Sequence, residues 1–299
     1  MRSLPAFIAF GRARRERAAQ PPLPCPTTPV WIVGDLHGRL DLLDLMLARI
    51  DADPDSGTAR IVFTGDMIDR GPQSAGVLAR LYDLVRHDPD RVICLMGNHE
   101  RMMLDFLGDP LRQAPRWLAA GGGDTLASFG LPPWSRGGGD REKGIADRAD
   151  ALRGALGLDT ITWLQDLPLY WQEGRLAVTH AGADPDRPIA DQKADTLLWG
   201  HNRFLRRARK DGLWVAHGHT VVETAQAGQG RIAVDTGAWR SGCLSAARVD
   251  GTGVTFVTVK KPSEGETAGG PEAFREQQAA KHPPRSRPAP QRQKTDNRR

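Results

Sequence analysis

Short apolar runs alternating with amphipathic helical stretches, at a repeat a little over thirty residues, predict an α/β domain. The runs VWIVGD (30–35), RIVFTGD (60–66) and RVICLMGN (91–98) are rich in residues that suit a buried, pleated surface. Between them, Leu40–Ile50 and Ser74–His87 place apolar residues near a 3.6 period, which is the helical signature. The step from Asp35 to Asp66 is 31 residues and from Asp66 to Asn98 is 32. Each is the length of one βαβ unit, about 30 residues or more. Parallel strands would bring the polar ends of all three runs to one edge of a sheet, where open α/β sheets bind ligands.

The elements follow in order. Residues 1–29 carry five arginines and one glutamate and end in PPLPCPTTP, where proline excludes a regular element. This segment is expected to be disordered, basic and proline-rich. One domain is expected over 30–260. After its first three strands, 101–165 reads as a helical cap interrupted by GGG (121–123) and by a flexible surface loop, LPPWSRGGGD (131–140). The runs RLAVTHAG (175–182), LWVAHGH (213–219), RIAVDTGA (231–238) and GVTFVTV (253–259) have short gaps and turn signals. They predict an antiparallel or mixed second sheet. From 261 to 299 the chain is rich in Pro, Gln, Gly, Arg and Lys and holds almost no large apolar residues, so it cannot bury enough surface to order itself.

Charge and composition narrow the function classes. The chain is +5 overall, but residues 1–29 supply +4 and 260–299 supply +5, which leaves the middle at −4. The basicity belongs to the tails, which suit an acidic partner, and the folded part shows no electrostatic footprint for nucleic acid. No stretch approaches the 18 or more apolar residues of a membrane span. Cys25, Cys94 and Cys243 share no disulfide or zinc spacing, and reduced thiols point to the cytoplasm.

The strand ends carry the chemistry. GDLHG (34–38), GDMIDRG (65–71), GNHE (97–100), HAG (180–182) and HGHT (217–220) each set glycine beside an acid, amide or imidazole. Glycine lets the backbone turn sharply after a strand and lets other groups approach. Carboxylate, amide oxygen and imidazole, with no cysteine nearby, are a ligand set for hard and borderline divalent metals. One histidine in a turn is ordinarily a satisfied turn residue; His37, His99, His180, His217 and His219 all falling in such clusters is not chance.

This ordered set resembles the phosphoprotein phosphatase family of the calcineurin-like metallophosphoesterases, over about residues 30–250. The stretches WLAAGGGDTLASFG (117–130) and VDTGAW (234–239) resemble its bacterial and phage serine/threonine phosphatase branch. The resemblance implies a four-layer sandwich, two mixed β-sheets flanked by helices, with a dinuclear metal site at the strand ends. It implies that Asp35, His37 and Asp66 hold one metal, and that Asp66, Asn98, His180 and His219 hold the second, with Asp66 bridging. Two cations about 3.5–4 Å apart would clamp the ester oxygens and lower the pKa of the attacking water. Manganese is the expected metal, with iron or zinc as alternatives. The implied reaction is in-line attack of a metal-bound hydroxide on a phosphate monoester, in a phosphoprotein or a small phosphoester. His99 matches the family's general acid, Asp69 its carboxylate partner, and Arg70 the arginine that grips phosphate oxygens. Asn98 would also face the phosphate.

Two positions depart from the pattern or stay open. This branch usually carries an arginine two residues after the tryptophan of an LLW motif. In LLWGHNRFL (197–205), His201 stands there and Arg203 two further on, so either could reach phosphate. His217 and His219 share a face if the strand continues, and the resemblance favours His219 as the ligand. Two other readings remain. A symmetrical dinucleoside tetraphosphate hydrolase has the same fold and metals but usually lacks the Asp69–Arg70 pair. A metal-free binding scaffold would have no need of a complete ligand set.

Overall fold

A computed structural model describes residues 21–132 and 141–261. The expectations for residues 1–20, for the 133–140 part of the glycine-rich loop and for the tail from 262 lie outside the described residues.

The first half alternates as its periodicity requires: β1 (Val30–Val33), α1 (Leu40–Asp51), β2 (Arg60–Phe63), α2 (Ser74–His87) and β3 (Val92–Cys94). β1, β2 and β3 are parallel, with Trp31 opposite Ile61 and Ile61 opposite Val92. A helical region follows: α3 (Asn98–Gly108), α4 (Pro110–Trp117), α5 (Gly123–Ser128) and α6 (Arg141–Gln165). Asp109 caps α4 by accepting the Arg112 amide, and Pro110 starts it where a missing N–H costs nothing. α6 is broken at Gly157, whose φ of 75° no continuous helix allows. The second half contains β4 (Tyr170–Glu173), β5 (Leu176–Thr179), α7 (Ala194–Trp199), β6 (Trp214–His217), β7 (Gln226–Gly228), β8 (Arg231–Ala233), α8 (Ala238–Ser241), β9 (Cys243–Asp250) and β10 (Gly253–Lys260).

These strands form two five-stranded sheets, ordered β10-β9-β1-β2-β3 and β4-β5-β6-β8-β7. Both are mixed. The second has a parallel centre, β5-β6-β8, with antiparallel edges. The expectation for the later strands therefore needs one correction: GVTFVTV (253–259) does not join the second sheet. It forms a hairpin with β9, and β9 pairs antiparallel with β1, setting Val249 opposite Val30. β9 escapes a sequence reading because CLSAARVD mixes small and polar residues without an apolar run.

Residue alternation explains the sandwich. Val30, Ile32 and Val62 face inward and pack with Val178, Trp214, Ala216, Ile232 and Val249 between the sheets. Their neighbours Trp31, Val33, Ile61 and Phe63 face the other way, against Leu43, Met46, Leu78, Leu81 and the cap helices. Strands covered on both sides read as continuous apolar runs, and VWIV, LAVT and WVAH are buried at every position. Residues 21–29 form no helix or strand. They nonetheless lie against the domain, for the Thr27 amide and hydroxyl both donate to Glu173 Oε1 at 2.7 Å, and Trp214 Nε1 donates to the Pro22 carbonyl at 2.9 Å.

The consequence for function is positional. β1, β2 and β3 of one sheet and β5, β6 and β8 of the other present their C-terminal tips to one region. Asp35, Asp66, Asn98, His180, His219 and Asp235 follow those six strands within four residues.

Candidate metal centre

The tips after β1, β2 and β6 turn through strained backbone. Among the described residues, six that are not glycine have positive φ, and five of them are His37, Asp66, Asp69, Arg70 and His219. Such backbone costs about 1–3 kcal/mol per residue and persists only where the surroundings over-determine it. Glycine supplies close approach elsewhere: a Cβ on Gly218 would stand 1.9 Å from Asp35 Oδ1.

Asp66 sits at the centre. The ligand-capable atoms of His37, Asp66 and His99 lie within 4.8 Å of one another, and so do those of Asp66, His180 and His219. Asp66 Oδ2 is 3.5 Å from His37 Nε2, and Asp66 Oδ1 is 3.4 Å from His180 Nε2. The histidine tautomers follow from their other nitrogens. His37 Nδ1–H donates to the Ile68 carbonyl at 2.8 Å, and His180 Nδ1–H to the Thr64 carbonyl at 2.9 Å. Burial, and then the neighbouring His99 and His219, hold His37 and His180 well below the ordinary imidazole range, so each ring is neutral with a lone pair on Nε2. His180 Nε2 faces Asn98 Oδ1 at 2.8 Å and His219 Nδ1 at 3.2 Å, while His219 Nδ1 is 2.9 Å from the same Asn98 oxygen. Lone pairs that converge this closely in a buried pocket fit a cation. Oxygen and imidazole donors without sulfur select a hard or borderline divalent metal.

Asp35 stands one step aside. Its Oδ1 accepts the Thr64 hydroxyl and its Oδ2 the His219 amide, each at 2.9 Å. Burial, then the negative charges of Asp235 and Asp66, push its pKa well above the carboxylate range. Asp66 is raised likewise, by burial and then by Glu100. This much buried negative potential is a second mark of a site built for positive charge.

His99 and Asp69 form the third feature. His99 Nδ1–H donates to Asp69 Oδ2 at 2.7 Å. Trp117 Nε1–H reaches both carboxylate oxygens at 3.0–3.2 Å, and the Thr125 hydroxyl donates to Oδ1 at 2.6 Å. Asp69 is thus wholly buried and held by three donors, and no salt bridge links it to Arg70 in a surface turn. Burial lifts its pKa to about 7 against these donors, and burial with the Arg70 charge lowers His99 to about 3. The Arg70 guanidinium donates to His37 Nε2 at 2.9 Å and to His99 Nε2 at 3.0 Å, and it stacks 5.4 Å from the Trp239 ring.

His201 and Arg203 have no such place. Arg203 bonds Asp186 at 2.6 Å and Asp184 at 3.1 Å, and His201 lies 3.8 Å from Asp184, so both serve an acidic pair on the outer loop. His217 is buried edge-on against Phe204 and packs behind the site. Sequence reasoning missed four residues here. Asp235 ends the run RIAVD as Asp35 ends VWIVGD, a parallel that could have found it. Glu100, inside GNHE, accepts backbone amides from Asp66, Met67, Ile68 and Gly97 and so ties the second and third tips together. Trp117 and Thr125 gave no signal for their contact with Asp69.

This arrangement of strand tips defines a class, and the sequence comparison agrees with it. The calcineurin-like phosphoesterase family matches residues 28–223, and the chain belongs to that family. It is a metallophosphoesterase, a hydrolase of a family that uses divalent metals. It is similar to serine/threonine-protein phosphatase 1 of Salmonella typhimurium, 29% identical over 230 residues, covering 74% of this chain and 91% of that one. It is also similar to the asymmetrical bis(5'-nucleosyl)-tetraphosphatase PrpE of Bacillus thuringiensis, 27% identical over 240 residues, covering 73% and 89%. A serine/threonine phosphatase structure from Saccharomyces cerevisiae shares the fold, with a TM-score of 0.52 at 16% identity, over 81% of this chain and 82% of that one. Among the described residues, no helix is long and apolar enough to cross a membrane.

Proposed function

We propose that this chain hydrolyses phosphate monoesters of serine and threonine in proteins, with tyrosine and small phosphoesters as further substrates. The metal ligands in this reading are Asp35, His37 and Asp66 for one ion, and Asp66, Asn98, His180 and His219 for the other, manganese being the favoured metal. When bound, the metals supply Lewis-acid charge and an activated water at neutral pH.

The chain's own residues do the rest. Arg70 holds the phosphoryl oxygens through its planar fork, turning from His37 and His99 toward the more strongly charged substrate. His99 protonates the leaving oxygen. Its neutral state in the present contacts follows from burial beside Arg70. A phosphate dianion that engages Arg70 removes one cause and adds opposite charge, and both effects raise the imidazole pKa. Asp69, held by Trp117 and Thr125, keeps Nε2 aimed and stabilises the imidazolium.

The observation that carries the reading is this caged Asp69–His99 pair. A serine or threonine alkoxide is a poor leaving group and needs an acid, whereas a nucleotide phosphate leaves without one. A second reading, dinucleoside tetraphosphate hydrolysis, draws on the half-exposed Trp199 and Trp239, which offer faces for nucleobases. The relative from Bacillus thuringiensis bears that name. Measuring kcat/KM with manganese for a phosphoserine peptide, p-nitrophenyl phosphate and diadenosine tetraphosphate separates the two. A hundredfold preference for the dinucleotide would overturn the phosphatase reading. The catalytic domain is proposed to span about 21–261, so a chain trimmed to those residues should fold and keep its turnover of p-nitrophenyl phosphate.

A further inference from the structure

We propose that Arg116, held against Trp199, forms a subsite for a second anionic group on the substrate, beside the scissile phosphate. The inference rests on the phosphomonoester reading above and names the substrate class it favours: phosphopeptides with an acidic side chain next to the phosphorylated residue.

Position comes first. Trp117, the last residue of α4, places its indole nitrogen on Asp69 and so fixes the end of that helix over the His99 half of the centre. Arg116 precedes it, and its guanidinium lies 4.5 Å from the Trp199 ring centroid. Trp199 ends α7, which is tied to the other half: the Leu197 carbonyl accepts the Ala181 amide at 2.8 Å, directly after His180, and Gly200 backs onto the Ala181 carbonyl. The Arg116–Trp199 contact therefore spans the rim from the Asp69–His99 side to the His180 side.

Chemistry comes second. Trp199 is 36% exposed, and Arg116 is exposed on its face. Among the described residues Arg116 has no carboxylate partner, whereas Arg203 is committed to Asp184 and Asp186. An indole face holds a guanidinium in place electrostatically yet leaves all five N–H donors in its plane unused. A planar cation so oriented, without an acid of its own, is a receptor for carboxylate or phosphate. Arg70 provides the grip for the transferred group, and Arg116 provides one for its neighbour. The same chemistry would accept the second phosphate of a polyphosphate chain, so the test includes both sources.

The test compares kcat and KM, with manganese, for three substrates: a phosphoserine peptide flanked by aspartate, the same peptide flanked by alanine, and diadenosine tetraphosphate. In the wild type the aspartate peptide should have about tenfold lower KM than the alanine peptide, a ratio in keeping with one charge-assisted pair. In Arg116→Ala that ratio should fall to near one, with kcat for the alanine peptide little changed. Arg116→Lys should restore part of it, and Trp199→Ala should mimic Arg116→Ala because the platform is gone. A wild-type ratio near one, or a ratio that survives in Arg116→Ala, overturns the proposal. Selectivity lost only for the tetraphosphate overturns the peptide assignment. A wild type that turns over no phosphomonoester at all counts instead against the function proposed above.

Discussion

Replacing Glu100 by glutamine changes one buried atom, and the structure predicts a large effect. Glu100 is fully buried, and its carboxylate accepts four backbone amides: Asp66 at 2.9 Å and Gly97 at 3.0 Å on Oε2, Met67 at 2.8 Å and Ile68 at 3.3 Å on Oε1. Glutamine keeps one acceptor edge and turns an NH2 group toward the other pair, donor against donor. Two buried amides then lose their partner, at about 1–3 kcal/mol each, or about 2–6 kcal/mol together. Relief of the buried charge offsets part of this, because burial already pushes the Glu100 pKa up to about 7. A loss of about 2–4 kcal/mol at pH 8 is expected in urea denaturation followed by tryptophan fluorescence. The four bonds also hold Asp66 at a φ of 51°, so metal content and turnover should fall with stability. A variant within 0.5 kcal/mol of wild type (roughly the scatter of surface substitutions) and with full metal content would refute this account of the turn.

Three further outcomes are expected. Chelation should destabilise the protein more at pH 8 than at pH 5.5. Asp69 and Glu100 are raised to about 7, and Asp35 and Asp66 well above their ordinary range, so the metal-free fold is favoured below pH 4 and loses stability as pH rises through 7. Metal at the concentration equal to 100 Kd at pH 8 should restore about 2.7 kcal/mol there, roughly 5–11 °C in Tm, and an equal or larger shift from that same concentration at pH 5.5 would contradict the argument. Asp66→Asn should lower metal stoichiometry, read by plasma mass spectrometry, more than Asp35→Asn does, since Asp66 alone borders both ligand groups; two retained metals would remove its bridging role. His99→Asn should keep its metals and lose about 10²–10⁴-fold in kcat on phosphoserine peptide. The loss on p-nitrophenyl phosphate, whose leaving group needs little protonation, should be smaller, and equal losses would point to a positioning role.

Much of this molecule was legible in the sequence, for local reasons. Short continuous apolar runs marked β1, β2 and β3, a 3.6 period marked α1 and α2, and glycine beside an acid or histidine marked the tips. Regular elements follow from short-range sterics and from the need to bury one face, and both are written in adjacent residues. The convergence of Asp35, Asp66 and Asn98 could be anticipated because parallel strands must end at one edge, and the family resemblance implied that His37, His180 and His219 join them.

Other features were settled only by tertiary packing. β10 returned to the first sheet because β1 had a free edge that β9 could pair with, a choice made between strands more than two hundred residues apart. Trp117 and Thr125 cage Asp69 from 48 and 56 positions away, and no spacing rule reaches that far. Arg203 pairs with Asp184 and Asp186, a pairing decided by where the outer loop folds. Sequence by itself determined which elements form and which chemistry their ends carry, since those depend on neighbours along the chain. The three-dimensional fold decided which charges are caged, paired or left available, since that depends on neighbours through space.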